Sequence, residues 1–218
     1  MNYLIQREVT AVLAAQENRY RPTVLKYDVD WLAIKDACMA TIGKQAGKEP
    51  NNEWKKKLLL AEHSPLRRSV ISVKWEEIPY FVMGHLVRHH VGCTPYVSTS
   101  RSDRTGVDRN ERKQTDMVSM EMDFNIQSLI DISSRRLCLC ADPETIKYWK
   151  GLVEVIREID PILAWALVPQ CVHRGACMEK FGNCQYFNNF AKNLSKEELL
   201  DLSTRYDKYN EMILSRQK

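Results

Sequence analysis

The chain has 218 residues, 44% hydrophobic and 28% charged, with 8 glycines and 8 prolines. That composition excludes a disordered or fibrous protein and suits one domain with a proper core. The net charge of +4 is mild, and it fits an anionic small ligand as well as a nucleic acid.

The N-terminal stretch reaches charge at Arg7 with no uninterrupted apolar core ahead of a small-residue cleavage site, so no signal peptide is expected. No run approaches the ~18 apolar residues of a membrane span. A cytoplasmic protein is therefore expected. Its 7 cysteines are read as reduced thiols, metal ligands or reactive groups before a disulfide framework.

Across residues 28–44, Trp31, Ile34, Ala37, Cys38 and Ile42 recur near a 3.6-residue period and predict a helix that stops at Gly43. A polar turn leads to a second helix over 52–62, and the β-branched run SVISVKW over 69–75 predicts a strand. Pro79 suits a first helical turn, where its missing N–H costs nothing, so a helix is expected from there through the histidines that follow. From Thr94 to Gln114 the chain reads as a polar loop, long enough to point to function. Asp116 is read as the N-cap of one long helix reaching Arg136, with Met117, Met120, Phe124, Leu129 and Ile132 on its apolar face. Asp142-Pro143-Glu144 opens another helix, carrying Trp149, Leu152, Val153 and Ile156, and Ser195 with Glu198 forms a capping box before a charged C-terminal helix. The fold class expected is α+β, mainly helical with a central antiparallel sheet region.

Four of the five histidines, His63, His85, His89 and His90, fall between positions 63 and 90, with Arg67, Arg68 and Arg88 among them. On a continuous helix His85, Arg88 and His89 would share one face. Guanidinium forks bind phosphate in a bidentate way and imidazole can donate beside them, so the face suits a phosphate or an anionic cofactor. A solvated basic stripe, or histidines satisfied inside a core, accounts for the same residues equally well. A metal site on His85 and His89 is disfavoured, because no HExxH arrangement surrounds them.

The segment HSPLRRSVISVKWEEIPYFVMGHLVRHHVGCTPYVSTSR, residues 63–101, resembles the core of the flavin-dependent thymidylate synthases, with a His-x-Ser segment, a strand and a helix ending in RHRxxSxNxxSxR. Residues 125–136, NIQSLIDISSRR, resemble the family helix in which an Asn precedes an Arg by eleven positions. Arg88, His89 and Ser98 agree with the motif, while His90 stands for Arg, Cys93 for Ser and Pro95 for Asn. The closing arginine is displaced by one, with Ser100 in its place and Arg101 after it. The likeness spans about residues 30–165 of what is read as a single domain over 1–218; residues 166–218 form a cysteine-containing segment and the C-terminal helix.

The resemblance implies a homotetramer with active sites at subunit interfaces, each taking FAD and dUMP, with methylenetetrahydrofolate and NADPH as co-substrates and dTMP as product. His63, Arg88, His89, His90 and Asn125 would contact the cofactor; His85, Ser98, Arg101 and Arg136 would hold the substrate, and Arg136 with Ser98 would serve catalysis. Cys93 stands where the family has Ser, which argues against a nucleophilic role. Two alternatives stay open: hydroxymethylation of dUMP on the same fold, and a non-catalytic nucleotide- or nucleic-acid-binding protein using Arg101, Arg104, Arg109, Arg112 and Lys113 on a phosphate backbone. A small-molecule substrate is preferred to nucleic acid as the partner.

A second constellation lies outside that resemblance. Cys171, Cys177 and Cys184 follow one another around His173, and Cys138 and Cys140 sit on an earlier turn. Thiolate-rich clusters bind zinc or iron–sulfur. The spacing is no standard CxxC pair, and free cysteines commonly pack in cores, so no metal is expected; Cys171, Cys177 and Cys184 are the candidates should one bind.

Overall fold

The computed structural model describes residues 19–179 and 184–215; the N-terminal stretch considered for targeting lies, but for its last two residues, outside the described residues. Four strands, β1 (Thr23–Asp28), β2 (Val70–Pro79), β3 (Cys93–Val97) and β4 (Met117–Phe124), form one sheet in the order β1-β2-β4-β3. Every neighbouring pair is antiparallel. With helices around this sheet the chain is α+β, as expected. No helix of the described residues is long and apolar enough to cross a membrane.

The sheet buries one face because side chains alternate across a strand. Ile71, Val73 and Trp75 on β2 and Val118, Met120, Met122 and Phe124 on β4 are buried. Helices α5 (Ile126–Arg136) and α6 (Pro143–Ile159) pack against each other beside it. Trp149 of α6 meets Phe124 edge-on at 5.8 Å and donates its indole N–H to Ser133 of α5 at 2.9 Å. Burying each such large side chain contributes about 1.5–3 kcal/mol.

The largest departure from the sequence reading falls at 116–136, where one long helix was expected and a strand followed by a helix is found. Met117, Met120 and Phe124 fit a helical stripe, yet Val118, Met120, Met122 and Phe124 also alternate with period two. Pairing with β2 on one edge and β3 on the other decides for the strand. Asp116 closes the preceding turn by accepting from the Lys113 N–H at 2.9 Å; the cap of α5 is Asn125.

Other boundaries shift for similar reasons. The helix expected over 28–44 contracts to α1 (Trp31–Ala40), capped by Asp30, because β1 occupies the chain up to Asp28. Helix α2 (Asn52–Leu60) lies within its expected range, and β2 runs on to Pro79. Helix α3 (Tyr80–Leu86) ends early, so Arg88 and His89 lie beyond it and the single helical face proposed for them with His85 does not form. The supposed loop 94–114 contains β3, a short helix α4 (Ser102–Thr105) and a 3-10 turn (Arg109–Glu111).

In the C-terminal part, α7 (Pro161–Trp165), α8 (Gln170–Arg174) and α9 (Tyr186–Ala191) precede the capping box. The box is formed, but it opens only α10 (Lys196–Leu200); Asp201 accepts from the Thr204 N–H at 2.7 Å and starts α11 (Leu202–Ser215). Buried Arg205 of α11 donates to the carbonyls of Val172, His173 and Leu199, tying α8 to the end of the chain.

Candidate active site

Arg136 occupies the last turn of α5, where a cation complements the partial negative charge of the helix end. Its Nε donates to His89 Nε2 at 2.9 Å and its Nη2 to the His85 carbonyl at 2.6 Å. His89 is available because α3 stops: its N–H returns to the Leu86 carbonyl at 3.0 Å and the chain turns away. Burial, followed by the Arg136 guanidinium, pushes the His89 imidazole down to about 4. His89 is thus neutral near pH 7 and accepts from Arg136 through Nε2. Burial and the neighbouring Arg88 and Arg135 lower the Arg136 pKa as well. A guanidinium starts so high that it stays cationic.

His85 is fixed from the other side. Its Nδ1 lies 2.8 Å from Thr145 Oγ1, which itself donates to Asp142 Oδ1 at 3.0 Å. Thr145 has one proton to give and gives it to Asp142, so His85 Nδ1 is the donor in this pair. Asp142 also caps α6 through the Thr145 N–H at 2.9 Å. Helix capping and site geometry therefore share one carboxylate.

The turn carrying Arg88, His89 and His90 is locked onto α5 a second time. Gly92 has φ +72°, and a Cβ there would stand 2.7 Å from Asn125 Nδ2. The Gly92 carbonyl accepts from the Asn125 N–H at 3.1 Å and from Ser128 Oγ at 2.7 Å, while Asn125 Oδ1 accepts from the Ser128 N–H at 2.9 Å. Only a residue without a side chain fits so close an approach at positive φ.

Of the residues expected from sequence, His85, His89 and Arg136 are in direct contact, and Asn125 joins them through the Gly92 turn. Arg88 and His90 lie on the same turn and are exposed, with His90 Nδ1 3.1 Å from the Arg88 carbonyl. His63 is exposed and introduces a 3-10 turn (Ser64–Arg68). Just past that turn, Ser69 Oγ accepts from the Ile126 N–H at 2.9 Å, so the segment abuts the start of α5.

Ser98 and Arg101 are engaged elsewhere. Ser98 Oγ donates to the Ser119 carbonyl at 3.0 Å and accepts from the Ser119 N–H at 3.2 Å, fastening β3 to β4. Arg101 is exposed and forms a two-point pair with Asp103, at 3.0 and 2.7 Å. Among the described residues no hydrogen bond or ion pair links either of them to the Arg136 cluster. Cys93 is buried, its thiol donates to the His89 carbonyl at 3.0 Å, and burial raises its pKa, all of which describes a packed thiol.

Sequence reasoning missed Thr145, Ser128 and Gly92. Thr145 was visible only as part of a helix start. Gly92 offered one hint, a glycine inside the motif turn. Among the described residues no group of three or more His, Cys, Asp or Glu is arranged to hold a metal ion, and all seven cysteines are free.

No family sequence model and no curated protein sequence matches the chain. Solved structures do. A UMP/dUMP methylase from Streptomyces cacaoi, bound with 5-bromo-dUMP, superposes with a TM-score of 0.55 at 12% identity, covering 66% of this chain and 93% of that one. The flavin-dependent thymidylate synthase of Helicobacter pylori, complexed with FAD and dUMP, gives a TM-score of 0.55 at 12% identity, covering 68% of this chain and 99% of that one. The chain therefore has the fold of the flavin-dependent thymidylate synthases.

Proposed function

We propose that the chain is a flavin-dependent enzyme that transfers a one-carbon unit to C5 of dUMP and yields dTMP. The observation that carries this reading is the Arg136–His89 bond, which joins the two stretches of sequence that resemble the thymidylate synthase family, 63–101 and 125–136. The donor set fits an anionic dinucleotide: Arg88 and His90 are exposed on a turn held rigid by Gly92, and Arg136 stands cationic behind them. In this reading Arg88, His89, His90, His63 and Asn125 hold FAD. When bound, FAD would supply redox chemistry with NADPH as reductant, and methylenetetrahydrofolate the carbon.

Arg136 acts on the pyrimidine. A cation held beside a uracil carbonyl draws electron density from the ring and makes C6 electrophilic, which is catalysis by preorganised charge. Neutral His89 orients the guanidinium without competing for its charge, and His85 fixes it through its carbonyl. Ser98 and Arg101 take the nucleotide phosphate, with Arg101 exchanging the Asp103 carboxylate for it. The complete site combines residues of neighbouring subunits in a homotetramer.

The Arg101–Asp103 pair favours a second reading, a protein of this fold that has lost dUMP turnover, because the pair already occupies the arginine that would grip the nucleotide phosphate. The absorption spectrum of the purified protein separates the two. The flavin enzyme is yellow or becomes so on adding FAD, with perturbed flavin bands; a protein that leaves the FAD spectrum unchanged overturns the proposal.

A further inference from the structure

Five cysteines from two stretches of sequence, 138–140 and 171–184, gather beyond the C-terminal end of α5. Cys138, Cys171, Cys177 and Cys184 line one small cavity of about 80 Å³, together with Met178 and Phe187. The Cys140 thiol neighbours Cys138 and Cys184, and burial, followed by those two thiols, raises its pKa. The Tyr186 N–H donates to Cys184 Sγ at 3.4 Å. An N–H···S bond of this kind orients a sulfur ligand and supports its charge. Plain packing accounts poorly for the arrangement, since Cys177 is exposed, and Cys138, Cys171 and Cys184 are only partly buried.

We infer that this cavity is a binding site for one thiophilic divalent ion of the zinc type, with Cys138, Cys171, Cys177 and Cys184 as ligands. Four cysteines lining one cavity supply the ligand set zinc prefers in structural sites. The cavity exceeds the ~30 Å³ share of a water molecule, so an ion enters without displacing the core. Because no three of these ligands yet stand in coordinating geometry, the ion itself would draw exposed Cys177 and its neighbours inward. Metal binding and local folding are commonly coupled in this way. Metal binding would tie Cys138, two residues beyond the end of α5, to Cys184, two residues before α9. Each ligand thiol loses its proton to solvent as its sulfur–metal bond forms, and no oxidant or reductant is required.

The test uses the full chain and metal alone, so it is independent of any flavin or nucleotide result. Protein purified without chelators should carry close to one zinc per chain by elemental analysis. Removing the zinc and adding cobalt(II) should give the visible bands of a tetrahedral site together with thiolate-to-cobalt charge-transfer bands. Cys177→Ser should lose most of the metal, whereas Cys38→Ser, in α1, should keep it. Should Cys177→Ser fail to fold, the cobalt spectrum of the unaltered chain decides. Metal-free folded protein with a pale octahedral cobalt spectrum overturns the inference, as does full metal retention by Cys177→Ser. A brown iron–sulfur chromophore overturns the assignment to a single ion.

Discussion

Protonating His89 should loosen the site, and the size of the effect follows from its surroundings. The imidazole sits at about 4 in the folded chain, against an ordinary value of about 6.5. As pH falls, the unfolded chain takes up the proton first, so the neutral-His89 contribution to stability is complete above pH 6.5, is lost between 6.5 and 4, and changes no further below. That interval corresponds to at most about 3 kcal/mol, reduced to about 1–2 kcal/mol because His89 is only half-buried and water screens its charge. Urea unfolding of wild type and His89→Gln at pH 7.5 and pH 4.5 isolates the effect, since carboxylates elsewhere titrate alike in both. Wild type should lose about 1–2 kcal/mol more than the variant. Arg136→Leu should raise the His89 pKa above about 4 yet leave it below the ordinary range, because burial, the larger cause, remains. An imidazole resonance of His89 titrating between pH 6 and 7 in the unaltered protein would refute this reasoning.

Gly92→Ala should cost about 1–3 kcal/mol, since the new Cβ meets the Asn125 amide at a positive φ; an unchanged thermal midpoint would contradict the locked turn. Arg101→Ala should weaken dUMP binding about ten- to a hundredfold by calorimetry, whereas Ser100→Ala should do much less. The reverse ranking would remove the displaced-arginine alignment.

The legible parts of this fold are those written in local chemistry. Asp142-Pro143-Glu144 announces α6 because a cap, a helix-compatible proline and an acidic first turn act within four residues. The strand β4 escaped because Met120 and Phe124 satisfy helical and extended periodicities alike, and its pairing with β2 and β3 is non-local. The site shows the same division. His85, Arg88 and His89 were grouped by an assumed helix that ends at Leu86, and the actual organiser is a bond between His89 and Arg136, 47 positions apart. Resemblance to a family placed those residues together where periodicity could not. It did not foresee Ser98 fastened to Ser119 or Arg101 paired with Asp103.

The proposed one-carbon transfer is tested most directly by turnover. Protein supplied with dUMP, methylenetetrahydrofolate, NADPH and FAD should convert dUMP to dTMP, identified by chromatography and mass. Arg136→Lys, which replaces a planar fork by a point charge, should bind the nucleotide and lose most of that conversion. Formation of 5-hydroxymethyl-dUMP would redirect the chemistry to capture of the carbon unit by water. Unchanged dUMP after prolonged incubation with saturating FAD, or full activity in Arg136→Lys, would contradict the account.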